Sequence, residues 1–107
     1  MVKLNHMFVT ITTSKVTAAQ LSEVEKFLQV FLPRLQKEQP GVVAILHYAR
    51  PDKGDDSTII VWDNPSSVQA YRSGELIKEA IAFEKKLNLS AAREGYPLNY
   101  GSGFLLK

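Results

Sequence analysis

Two apolar runs joined by a charged turn constrain this chain more than any other feature. Val42-Val43-Ala44-Ile45-Leu46 and Thr58-Ile59-Ile60-Val61-Trp62 flank Pro51-Asp52-Lys53-Gly54-Asp55-Asp56, a cluster of turn formers that predicts a hairpin between two strands. A strand with one wet face alternates apolar and polar side chains. These two runs do not alternate, so they predict a sheet covered on both faces. At 107 residues the chain reads as one domain, 1–107, with room for a two-layer core. Its helices can cover one face of the sheet, and the other face then needs a second subunit or a ligand.

The remaining elements follow from periodicity and caps. His6–Thr13 (HMFVTITT) reads as a strand, with Met7, Val9 and Ile11 on one face and Phe8, Thr10 and Thr12 on the other. Thr17-Ala18-Ala19-Gln20 fits a capping box, and Leu21, Val24, Leu28, Phe31 and Leu35 then mark one face of a long helix. Pro33 predicts a kink near Gln29–Pro33, and Pro40-Gly41 ends the helix. Asn64 before Pro65 is a good N-cap for a short helix carrying Val68, Tyr71 and Arg72, which Ser73-Gly74 breaks. A further amphipathic stretch begins at Glu75, with Leu76, Ala80, Phe83 and Leu87 on one face and Ile77 and Ile81 beside them. Ser90–Glu94 reads as one more helical turn before Gly95-Tyr96-Pro97, and Leu98–Leu106 as an irregular last strand weakened by Gly101 and Gly103. The order strand, helix, strand, strand, helix, strand is the βαββαβ plan of an α+β, ferredoxin-like sandwich with an antiparallel sheet. Its bare sheet face is apolar, which predicts a homodimer by face-to-face packing.

Composition removes several function classes. The 13 basic and 11 acidic residues are spread along the chain for a net charge of +2, so no basic block marks a nucleic-acid groove or a membrane patch. An RNA-recognition domain shares the strand order but needs paired exposed aromatics on its third strand, where Thr58-Ile59-Ile60-Val61-Trp62-Asp63 has one aromatic and an acid. There is no cysteine, hence no disulfide, thiolate metal site or cysteine nucleophile. The apolar runs are too short to span a membrane, and the N-terminal residues lack the apolar core of a secretory signal; both predict a cytoplasmic location.

A helix ending in Pro40-Gly41-Val42, a hairpin whose second strand ends in Val61-Trp62, and the segment Asn64-Pro65-Ser66-Ser67-Val68-Gln69-Ala70-Tyr71-Arg72-Ser73 together resemble the dimeric α/β-barrel superfamily. Within it the chain is similar, over roughly residues 6 to 90, to the antibiotic-biosynthesis-monooxygenase-like domains. The resemblance implies a homodimer whose two sheets form a barrel, with a pocket between sheet and helices in each subunit. The superfamily includes cofactor-independent oxygenases of aromatic, quinol-forming substrates, heme-degrading enzymes and proteins of unknown role. Heme-degrading relatives carry an axial histidine that, counted from Trp62, falls on Ile81, which argues against heme chemistry by that route.

The histidines are His6 and His47, and the fold sets their strands roughly 9 to 10 Å apart and offsets them by about 15 Å along the chain direction, so they cannot share a metal within one subunit. No metal site is expected. Asp52, Asp55 and Asp56 lack calcium-loop spacing and read as solvated turn carboxylates. If Ile45 pairs with Trp62, then His47, Ile60 and Trp62 share one face and Tyr48 takes the other; a slip of one residue reverses this. Cofactor-free oxygenation needs an apolar pocket, a base and a stabiliser for the substrate anion. The resulting expectation is a cofactor-independent oxygenase of a small aromatic or quinol-like substrate. His47 and Tyr71 are its acid/base candidates, and Trp62, Tyr48, Arg72, Tyr100 and Phe8 its substrate-binding candidates. The rival is a non-catalytic dimeric binding or stress-related module, in which His47 is a water-satisfied rim residue and the cavity is filled by Phe8, Trp62 and Phe83.

Overall fold

A computed structural model describes residues 6–101. Its elements are β1 (Phe8–Lys15), α1 (Ala18–Glu38), β2 (Val42–Arg50), β3 (Asp55–Trp62), α2 (Pro65–Arg72), α3 (Glu75–Lys86) and β4 (Ser90–Pro97). The sheet order is β2-β3-β1-β4 with every neighbouring pair antiparallel, the ferredoxin-like α+β plan read from the sequence. The second helical layer is split into α2 and α3 at Ser73-Gly74.

Local chemistry sets the helix ends. The Gln20 amide donates to Thr17 Oγ1 at 3.2 Å and the Thr17 amide donates to Gln20 Oε1 at 2.9 Å, so the capping box closes as the sequence requires. α1 is a single helix through Pro33. Both Pro33 and Gln29, whose carbonyl loses its donor, are exposed, and water can serve that carbonyl. Asn64 caps α2 by accepting from the Ser66 and Ser67 amides. Gly41, with φ +91°, makes the turn from α1 into β2; a Cβ there would also collide with Ser67 on α2.

Three expectations are corrected. The last strand is Ser90–Pro97, where a helical turn was expected, and not Leu98–Leu106, of which residues 102–106 lie outside the described part. Asn88 at φ +57° ends the helical run, and eight positions of β4 then pair with β1 from Phe8↔Pro97 to Lys15↔Ser90. The vacant edge of β1 outweighs the helix propensity of Ala91-Ala92-Arg93-Glu94. Asp55 and Asp56 are not solvated turn residues. The turn is confined to residues 51–54, and both carboxylates are buried in β3. Finally, Ile45 pairs with Ile60 and Val42 with Trp62, with a bulge between Val42 and Ala44. The registers differ by two residues, so the expected faces hold: His47 shares the side of Ile60 and Trp62, and Tyr48 is on the other.

The β1/β3 ladder organises the interior. Its helix-facing pairs run Phe8↔Trp62, Thr10↔Ile60, Thr12↔Thr58 and Ser14↔Asp56. At the first end, Trp62 is fully buried with Phe31, Leu35, Ile60, Val68, Leu76 and Ala80. Val16, Leu21 and Val24 form a second cluster, against which Ala49, Phe83 and Leu89 pack. On the far side of the sheet, Leu46, Tyr48 and Tyr96 are exposed.

Candidate functional site

Between sheet and helices lies a cavity of about 90 Å³ that opens to solvent. Its floor is the polar part of the ladder: Thr10, Thr12 and Ser14 of β1 with Asp56 and Thr58 of β3. Phe27, Leu28 and Phe31 of α1 wall one side, and Tyr71, Ala80 and Phe83 of α2 and α3 wall the other. Phe27 stacks on Phe83 with ring centroids 4.0 Å apart, which ties α1 to α3 across it. An apolar wall over a hydroxyl-rich floor can hold a flat ring and orient its polar substituents.

Several polar groups of the cavity are paired. Arg93 Nη1 donates to Glu84 Oε1 at 3.0 Å, a partly exposed ion pair at the edge of the cavity. Trp62 Nε1 donates to Thr10 Oγ1 at 2.9 Å, which satisfies the buried indole and fixes the Thr10 hydroxyl. Burial pushes the Tyr71 phenol up to about 12, with Glu84 raising it further and Arg93 opposing. Tyr71 is therefore a neutral hydrogen-bond donor near neutral pH, suited to steadying an anion and unsuited to acting as a base.

Asp56 differs from these. Its Oδ2 lies 2.9 Å from His47 Nε2, while its Oδ1 is buried with no hydrogen-bond partner among the described residues. Asp55, one residue earlier, points to the opposite side and is fully engaged: Arg50 Nε and Nη2 donate to its two oxygens at 2.9 and 2.7 Å. That fork holds the Asp55 carboxyl below the usual carboxylate range.

Of the residues expected from sequence, Tyr71 and Arg72 line the cavity. His47 reaches it only through Asp56. Trp62 lies behind the lining, 5.5 Å from the Tyr71 ring, and Phe8 packs on the same core cluster. Phe8 also abuts Gly95, where an added Cβ would come within 2.7 Å of its ring. Tyr48 is on the other face of the sheet, and Tyr100 is 78% exposed beyond β4. Ile81, the position counted for an axial histidine, is not in the lining either; α3 presents Ile77, Ala80, Phe83 and Glu84 to the cavity. Asp56 carries no signal of a site in the sequence, because Pro51-Asp52-Lys53-Gly54-Asp55-Asp56 has the composition of a turn throughout. A turn ending at Gly54 would have placed Asp56 on the face of His47.

No protein-family profile matches the sequence, and no curated protein matches it. Solved structures do match. A candidate antibiotic biosynthesis monooxygenase from Deinococcus radiodurans superposes with a TM-score of 0.76 at 16% identity, over 90% of this chain and 96% of its own. One from Chloroflexus aurantiacus, also a candidate antibiotic biosynthesis monooxygenase, gives 0.65 at 23% identity over 91% and 97%. A protein of unknown function from Nitrosomonas europaea gives 0.75 at 15% identity over 94% and 96%. The protein thus shares the fold of solved structures named as candidate antibiotic biosynthesis monooxygenases. Among the described residues, no helix is long and apolar enough to cross a membrane.

Proposed function

We propose that this protein is a cofactor-independent oxygenase of a small aromatic or quinol-like substrate, acting as a homodimer. The observation that carries the reading is the cavity itself, whose apolar walls stand over a hydroxyl-bearing floor and beside the neutral phenol of Tyr71. In such chemistry an activated ring carbon loses its protons and the substrate supplies all the electrons: R₂CH₂ + O₂ gives R₂C=O + H₂O. The protein needs only to orient the ring, accept a proton and stabilise the anion left behind. His47 is the base in this reading, acting through Asp56, and Tyr71 and the exposed Arg72 stabilise the anion. The names of the Deinococcus and Chloroflexus structures support the same class.

The cavity is smaller than the ~150 Å³ that holds a benzene ring in a dry protein core. One ring therefore enters with side-chain adjustment at the opening, and larger fused systems would project into solvent. Oxygen uptake with monocyclic quinols, without added metal or flavin, is the direct test. His47→Ala and Tyr71→Phe should each lower turnover, the former by about 10²-fold. No uptake above background across the panel would leave the rival reading, a ligand-binding module of the same fold, which the filled Trp62 end favours. For the dimer, the exposed Leu46, Tyr48 and Tyr96 would pack between two sheets, and light scattering showing a folded monomer at micromolar concentration would defeat it.

A further inference from the structure

The informative atom is Asp56 Oδ1: among the described residues it is the one fully buried side-chain polar atom without a hydrogen-bond partner, and its residue lines the cavity floor. Asp56 is 4% exposed, and Oδ1 has no partner among the described residues although Oδ2 is held by His47. A buried carboxylate oxygen left without a donor has lost its hydration with nothing in return, so such an atom marks a place where something else supplies the donor. The other members of the floor are neutral hydroxyls, and at the edge of the cavity Arg93 and Glu84 neutralise one another. Arg72 contributes a further cation to the lining.

We infer that Asp56 is the residue that grips the ligand, accepting on Oδ1 a hydrogen bond from a ring hydroxyl, with His47 as the positioning residue that locks the carboxylate through Oδ2. This rests on the oxygenase reading for the identity of the ligand as a hydroxylated ring, and it assigns the contact to Asp56 where that reading had relied on His47. His47 is on β2, does not line the cavity, and can reach a ligand there only by way of the carboxylate. The pairing of Ala49 with Asp56 keeps a small side chain opposite the carboxylate, which leaves His47, on the same face, free to approach it diagonally.

The test is binding, measured without oxygen so that no turnover intervenes. Hydroquinone and 1,4-dimethoxybenzene present the same ring with and without donors, and calorimetric titration of each into the wild-type protein compares them. The wild type should bind hydroquinone at least about 10-fold more tightly, as expected when a desolvated carboxylate must otherwise remain unpaired. Asp56→Asn should erase that preference. His47→Ala should weaken it, and His47→Gln, whose amide can still donate to Oδ2, should restore it, a rescue that a purely structural histidine would not show. Equal affinity for the two rings, no binding of either, or an unchanged preference in Asp56→Asn would overturn the assignment and leave Oδ1 to water. Should Asp56→Asn fail to fold, the comparison of the two rings on wild type still decides. Preserved donor preference with no oxygen uptake would sink the oxygenase reading alone.

Discussion

The two ends of the β1/β3 ladder are built from the same strands, and they solve opposite problems. At one end Trp62 has every polar atom satisfied and no solvent exposure. At the other, Asp56 is equally enclosed but keeps one oxygen unpaired. A core that closes around an indole gains from dispersion and burial together. A core that encloses a half-satisfied carboxylate gives up stability, and the cavity beside it is the compensating feature. Phe31, Leu35, Ile60 and Val68 of the Trp62 cluster also line the cavity, but Trp62 does not, so the indole reads as scaffold and the floor around Asp56 as site.

The largest expected effect breaks the comparison at the closed end. Trp62→Ala should cost about 3 to 5 kcal/mol in chemical denaturation, because the indole leaves a void among Phe31, Leu35, Val68 and Leu76. Trp62→Phe keeps most of the packing but strands the Thr10 hydroxyl, and a loss of about 1 to 2 kcal/mol should follow. Asp56→Asn should change stability by no more than about 1 kcal/mol, since it weakens the contact to His47 while easing the enclosure of an unpaired charge. A loss as large as that of Trp62→Ala would mean that the open end is scaffold as well.

The smallest effects are in pH dependence. Because the folded Tyr71 phenol is raised to about 12, the unfolded chain ionises first and stability falls as pH climbs from about 10 to about 12. Tyr71→Phe should remove that part of the decline, visible as a flatter alkaline limb in thermal melts. Asp55 works in the other direction. Arg50 depresses its carboxyl, so its stabilisation is present above the ordinary carboxylate range and lost as pH falls through the folded value. The melting difference between wild type and Asp55→Asn should accordingly shrink on acidification.

Periodicity and caps made most of the scaffold legible. Thr17 with Gln20, Asn64 before Pro65, and the spacing of Leu21, Val24, Phe31 and Leu35 specify their helices through interactions within a few residues, which a sequence displays directly. Tyr71 and Arg72 were also legible as cavity residues, since both follow from the helix that Asn64 starts. Two things depended on partners distant in sequence. Ala91-Ala92-Arg93-Glu94 has the composition of a helix and becomes a strand because β1 offers an unpaired edge. Asp56 has the composition of a turn and becomes a buried acceptor because the hairpin closes at Gly54 and carries it into β3 beneath the helices. Local propensity reports what a segment prefers alone, at a fraction of a kcal/mol per residue, whereas a ladder of backbone hydrogen bonds and the burial of a face are settled only when the chain meets itself. The amino-acid sequence therefore determined the helices, the strand order and the apolar ladder end, and tertiary pairing alone decided where the last strand lies and which carboxylate faces the cavity.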